Sequence, residues 1–303
     1  MRYCALSVDL DEIRHYYGIH GLGSPPRASE HAVYDRALQR YWDFSSSERV
    51  PLTLFAVGAD LERPENRARL RTSVERGHEI GNHTQDHLYD LSRRPSSEIR
   101  EQIDRASALI AEATGEPVRG FRAPGYVMSQ RVYEVLGERG LYSSSVFPCP
   151  YYYAAKLAAL TRVWLTGKRS ASVLDAPFML AAPTTPYRVG KPYWRPGNGV
   201  VELPIQVTPR ARLPVFGTSL TLLGPKLGRR LVRQLLGVPF INLELHGVDL
   251  LDEHDDLQAL GARQFDLRIA FERKRATLVA VVAELRAEGY EFVRLDTAAD
   301  RFS

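Results

Sequence analysis

One alternation constrains this chain more than any other feature: short β-branched or aromatic runs recur along it, separated by longer stretches of helical period. A strand that leads into a helix and then into another strand builds βα units, and such units stack their strands in parallel. About eight strands are expected. They run from Tyr3 to Val8, Leu52 to Val57, Glu79 to Asn82, Val118 to Arg122, Tyr142 to Val146, Val201 to Val207, Phe240 to Leu245 and Glu291 to Leu295. Between them, Ile99, Ile103, Ala106 and Ile110 share one helical face, as do Leu278, Val281, Val282 and Leu285. Pro64 and Ser96 stand where helices should start, Gly115 and Gly289 where they should stop. The fold class expected is α/β, a barrel of about seven or eight parallel strands forming a single domain over residues 1–303.

One stretch departs from the pattern. Residues 147–200 carry seven prolines and clustered aromatic residues, and read as a long irregular insertion over one end of the barrel. Formal net charge is +4, but residues 151–239 hold 13 Lys or Arg against only Asp175 and Glu202. A basic region so segregated points to an anionic partner, such as a substrate phosphate, an acidic membrane surface or nucleic acid. No recognisable nucleic-acid motif accompanies the charge, so no nucleic acid is expected. Hydrophobic content of 44% and charged content of 25% are those of an ordinary globule with a sizeable core. Cys4 and Cys149 lie far apart and form no Cys-x-x-Cys pair, which argues against a thiolate metal site and permits a reducing compartment. The apolar run from Tyr3 to Val8 is too short for a signal-peptide core, so a cytoplasmic location is expected.

Polar residues collect where four of the expected strands end. Strand one runs into Asp9, Asp11 and Glu12, strand three into His83 and His87, strand four into Arg122, Gly125 and Tyr126, and strand seven into His246 and Asp249. In a βα barrel the carboxyl ends of the strands face a common crater, where catalytic groups gather. His83 and His87 have a spacing that lets both rings meet one ion, either on a helical turn or where a strand runs into a turn. Two carboxylates beside such a pair suggest one as third ligand and the other as base toward water. A pair of turn-forming aspartates is the plainer alternative. Arg122, embedded between apolar residues, should pair with a buried carboxylate, with Asp9 the natural candidate. His246 is either a packed strand-end histidine or the proton donor that the crater otherwise lacks.

Taken in order, Ser-Val-Asp-Leu-Asp from Ser7, Gly-His-Glu-Ile-Gly-Asn-His-Thr-Gln-Asp-His from Gly77, Arg-Ala-Pro-Gly-Tyr from Arg122 and Leu-His-Gly from Leu245 resemble the polysaccharide deacetylase family, carbohydrate esterase family 4. The likeness is good from residue 3 to about 126, looser from Phe240 to Leu295, and absent in the middle. It implies a distorted (β/α) barrel and metal-dependent hydrolysis of an N-acyl group on an amino sugar. The metal implied is a divalent ion, Zn²⁺ foremost, with Co²⁺, Ni²⁺ or Mn²⁺ as alternatives. The ligands implied are Asp11, His83 and His87, with Asp9 as general base, Arg122 keeping it ionised, and His246 as general acid. Gly125, Tyr126 and Asp249 are the implied substrate-side residues, the Tyr126 backbone helping to bind the oxyanion. Two departures stand out. Leu10 separates the aspartates, leaving Glu12 beside Asp11 as a candidate ligand, and the usual Asp-x-x-Asp-Trp motif that orients the histidine is missing, so that Asp249 or Asp175 would replace it.

The middle of the chain bears on the substrate. Leu223, Leu227, Leu231 and Leu235 form an i, i+4 ridge with Lys226, Arg229, Arg230 and Arg233 on the other side, and Pro225 suits the first turn of that helix. An outer helix with its apolar face on the sheet is expected, its basic face able to meet anionic headgroups. Together with Tyr151, Tyr152, Tyr153, Trp164, Tyr193 and Trp194, this looks like the branch of the family that deacylates lipid-phosphate-linked amino sugars at the inner membrane face. The alternatives are a hydrolase of a non-sugar amide on the same barrel and a non-catalytic saccharide-binding relative.

Overall fold

The computed structural model describes all residues except Thr166, Lys168, Arg169, Ala171 and Ser303. Two basic residues of the middle stretch, Lys168 and Arg169, therefore lie outside the described residues. Nine strands follow along the described chain: β1 (Arg2–Asp9), β2 (Leu52–Ala56), β3 (Glu79–Asn82), β4 (Gly120–Phe121), β5 (Tyr142–Ser143), β6 (Tyr187–Val189), β7 (Pro196–Glu202), β8 (Phe240–His246) and β9 (Tyr290–Phe292). The α-helices are α1 (Ile13–His20), α2 (Leu38–Glu48), α3 (Pro64–Glu75), α4 (Ser96–Thr114), α5 (Gln130–Glu138), α6 (Pro150–Leu165), α7 (Gly217–Val232), α8 (Gln258–Gly261), α9 (Phe271–Ala287) and α10 (Leu295–Arg301). The residues fall into two compact units, Met1–Leu54 with Val215–Arg294, and Phe55–Pro214 with Leu295–Ser303.

In the first unit β1 is flanked by β8 and β9, both parallel to it. Its central residues Cys4, Leu6 and Val8 and their β8 counterparts Ile241, Leu243 and Leu245 are all buried, as expected of parallel strands covered on both faces. Helices α7 and α9 pack closely. Gly224 and Gly228 of α7, both buried, stand at this contact: a Cβ at Gly224 would lie 2.9 Å from the Arg273 guanidinium and one at Gly228 3.3 Å from the Thr277 methyl. The expected leucine ridge is thus only half right. Leu231 and Leu235 are buried, whereas Leu223 and Leu227 are 37% and 45% exposed, because glycines rather than leucines let α9 approach. The helix breaks at Gly224 (φ 74°), and Pro225 opens the second segment, in the first-turn position assigned to it.

In the second unit the strand order is β6, β7, β5, β4, β3, parallel except for the antiparallel β6 and β7 pair. Helix α3 starts at Pro64, α4 starts at Ser96 and ends on Gly115 in the left-handed conformation (φ 79°), as expected. The buried face of α4 carries Ile99, Ile103, Ala106 and Ile110. The stretch expected to be irregular contains α6, β6 and the start of β7. There a Cβ on Gly197 would stand 2.5 Å from the Gly190 Cα, so a hairpin forms where Pro196–Gly199 had read as loop. The strand expected over Val201 to Val207 ends at Glu202 instead, since Pro204 has no N–H to pair, although Leu203 and Ile205 still donate to Ser143 and Val146.

Candidate active site

Parallel pairing of β1 with β8 sets Asp9 opposite His246 and Ser7 opposite Glu244. Side chains alternate along a strand, so Glu244 and His246 share a face. One ligand-type atom from each of Asp9, Glu244 and His246 lies within 4.8 Å of the other two. The Glu244 carboxylate is 3.1 Å from His246 Nδ1, and that of Asp249 is 4.0 Å away. Asp249 accepts the His246 backbone N–H at 2.8 Å and the Thr218 hydroxyl at 3.1 Å, and a Cβ at Gly217 would run into its carboxylate. The turn that follows His246 is further braced. Tyr41 donates to the His246 carbonyl at 2.7 Å, and buried Lys274 donates to the carbonyls of Val248 and Leu251.

These contacts decide the charge on the ring. Burial opposes protonation of His246, but the carboxylates of Glu244, Asp9, Asp249 and Asp11 outweigh it and push the pKa up to about 9. Near neutral pH the imidazole therefore carries both protons. Asp249, fully buried, has its own pKa raised by desolvation. Glu12 is also fully buried, but its oxygens accept the backbone N–H groups of Val33 and Tyr34, so it caps a helix start and Asp11 is the better placed of the two candidates for a ligand.

In the second unit β3 does not continue as a helix. It runs into a turn in which Thr84 and His87 take positive φ, 67° and 53°. Asn82 fixes this turn: its side-chain carbonyl accepts the Thr84 N–H at 2.7 Å while its amide donates to Ile103 and Ser107. Thr84 Oγ1 accepts the His87 N–H at 3.0 Å, and Gln102 holds Asp86 through both its backbone and its carboxylate. The result brings the rings of His83 and His87 to 4.8 Å between centroids. His83 Nδ1 lies 2.8 Å from the Arg122 carbonyl. A carbonyl only accepts, so Nδ1 carries the proton and Nε2 keeps its lone pair, the tautomer that a metal ligand needs.

Arg122 is fully buried at the end of β4, its guanidinium on the Ser144 carbonyl and hydroxyl at 2.7 and 2.8 Å and over the Phe55 ring at 4.3 Å. Gly125 and Tyr126 both take positive φ, and a Cβ at Gly125 would stand 2.9 Å from the Tyr89 ring. The Tyr126 amide donates to the Ala123 carbonyl at 3.0 Å, so this turn uses the donor that had been expected for an oxyanion. Asp175 is held by the Tyr193 hydroxyl at 2.5 Å and the Met128 amide at 3.1 Å. The carboxylate that meets His246 Nδ1 is that of Glu244, at 3.1 Å, a residue that sequence reasoning did not single out. The i, i+2 spacing of Glu244 and His246 was the available signal.

The comparisons with known proteins agree with the resemblance drawn from the motifs. Residues 32–143, which include His83, His87 and Arg122, match the polysaccharide deacetylase family model. A chitooligosaccharide deacetylase of Bradyrhizobium sp. (strain ANU 289) is 35% identical over 101 residues, 33% of this chain and 44% of that protein, so the match spans less than half of the curated relative. Among solved structures, a protein of Mycobacterium smegmatis assigned to the polysaccharide deacetylases superposes with a TM-score of 0.62 at 17% identity, covering 99% of this chain and 90% of that one. One of Pseudomonas aeruginosa PAO1 with the same assignment gives 0.58 at 14%, covering 98% and 89%. These likenesses show the fold, the mostly parallel α/β barrel type expected from the sequence.

Proposed function

We propose that this chain is a metal-dependent amide hydrolase that removes an N-acyl group, acetyl or formyl, from an amino sugar. The observation that carries the reading is the bond from His83 Nδ1 to the Arg122 carbonyl, which frees Nε2 for a cation beside the His87 ring. His83, His87 and Asp11 are the ligands proposed, a donor set that suits Zn²⁺ and is also open to Co²⁺, Ni²⁺ or Mn²⁺. When bound, the ion would polarise the amide carbonyl and acidify the attacking water.

The remaining steps belong to side chains. Asp9 accepts the proton of the attacking water, with Arg122 as its proposed positioning partner. His246, protonated at neutral pH, donates its Nε2 proton to the amide nitrogen as the C–N bond breaks, releasing a free amino sugar and acetate or formate. Glu244 holds the Nδ1 edge of the ring throughout. Gly125 and Tyr126 form a wall on the sugar side, and Asp249 works through the His246 backbone. The 13 basic residues between 151 and 239 support a sugar carried on a lipid phosphate, met at the inner face of an anionic membrane.

Acyl release tests both levels of the reading. The metal-loaded protein is expected to deacylate N-formyl or N-acetyl amino sugars, faster on polyprenyl phosphate than as soluble chitooligosaccharides, and to stop with chelator. Equal turnover on lipid-linked and soluble sugars removes the lipid reading, and no acyl release from any amino sugar removes the hydrolase reading.

A further inference from the structure

Helix α6 is built inside out. A surface helix ordinarily turns its apolar stripe inward and its charges to water, yet none of the 16 residues from Pro150 to Leu165 is buried. Its inner stripe is Tyr152, Tyr153, Lys156, Leu160 and Val163, all half-buried. Tyr152 packs on Phe147 and Tyr126, the Tyr153 hydroxyl donates to the Asp175 carbonyl at 3.4 Å, and Lys156 donates to the Gly125 carbonyl at 2.9 Å. The helix thus spends a lysine on its inner side. The outer side exposes Tyr151 by 53%, Leu157 by 46%, Trp164 by 73% and Leu165 by 73%, with four exposed alanines between them. Arg162 is the one charge on that side, and the helix contains no acidic residue.

We propose that the outward face of α6 is a docking surface for an anionic lipid bilayer, the helix lying in the plane of the headgroups. Charge selects this occupant. Asp175 and Glu202, the only acids between residues 151 and 239, are both buried, so this stretch offers the solvent cations alone. A second copy of the chain would set Arg162 against Arg162 with no acid to offset it, and the aliphatic side chains of exposed Leu157 and Leu165 have no counterpart on nucleic acid. Anionic headgroups answer both features, since the apolar side chains enter the acyl boundary while the arginine stays among phosphates. Tyr151 and Trp164 stand near the two ends of the helix, and such amphipathic rings favour the headgroup level. At ~1.5 Å per residue α6 is about 24 Å long, short of the ~30 Å bilayer core. Among the described residues no helix is long and apolar enough to cross a membrane.

This rests on the membrane-facing reading above but is tested without turnover, so the failure of one does not decide the other. The full chain is spun with phosphatidylcholine vesicles containing or lacking phosphatidylglycerol. Binding to the anionic vesicles should be at least 10-fold stronger, and the triple variant Leu157→Glu/Trp164→Glu/Leu165→Glu should lose at least 10-fold of it. A milder variant, Trp164→Phe, should fold normally and lose most of the blue shift in tryptophan emission that vesicles induce. Wild-type protein that stays in the supernatant, or a folded triple variant that sediments equally well, overturns the proposal. So does a wild-type dimer that the triple substitution splits into monomers, and so does a full blue shift in Trp164→Phe.

Discussion

Glu244 and His246 point from the same face of β8, and 3.1 Å separates the glutamate carboxylate from His246 Nδ1. With Asp9 opposite on β1, this contact keeps the imidazole doubly protonated at neutral pH, pushing its pKa up to about 9 against the burial that opposes it. On the proposed reading this makes His246 the acid for the leaving amine, without the sequence motif that usually orients it.

Replacing Glu244 should therefore move a pH profile. In the wild type, turnover is expected to fall as pH rises through about 9, where His246 loses its proton. In Glu244→Gln that alkaline limb should shift to lower pH by about one unit or more, with turnover at pH 7 reduced about 10-fold. Stability follows the same sign: the folded pKa lies above the ordinary value of 6.5, so the contribution is complete below about 6.5 and is lost as pH rises through about 9. NMR titration of His246 in both proteins checks the shift.

Lys156 should behave in the opposite sense. Burial, its largest influence, lowers it to about 8, with Asp175 pulling partly back. Between about 8 and about 10.4 the unfolded chain holds a proton that the folded one does not, so stability from this group rises with pH across that window. Urea midpoints from pH 7.5 to 10.5 should show this rise in the wild type relative to Lys156→Met, which lacks it.

Gly217→Ala tests the support behind His246. The added methyl runs into the Asp249 carboxylate, which caps the His246 amide. A loss of about 1–3 kcal/mol is expected from overpacking, measured by urea unfolding, together with reduced turnover.

Much of this was legible because periodicity and turn chemistry are local. Strand β3 has the expected bounds, α3 and α4 start at the expected Pro64 and Ser96, and the ends of β1, β3, β4 and β8 carry the polar residues singled out. The misreadings came where packing depends on a missing side chain. Gly224 and Gly228 face α9 in a helix whose leucines had been expected to form the packing face, and Gly190, Gly197 and Gly199 formed a hairpin from a stretch that looked like loop. The role of Glu244 was hidden for another reason: a carboxylate in an apolar strand gains meaning only from the histidine two residues later. The Tyr126 amide shows the converse limit, since no sequence tells that a donor is already used within its own turn.

The central claim is that His83 and His87 hold a cation while Asp9 handles protons, and metal content measured beside turnover tests it most directly. The account predicts about one divalent ion per wild-type chain, little or none in His83→Ala, and a full complement in Asp9→Asn with turnover down ~10²- to 10⁴-fold. A His83→Ala protein that retains its metal, or an Asp9→Asn protein with undiminished rate, would contradict it.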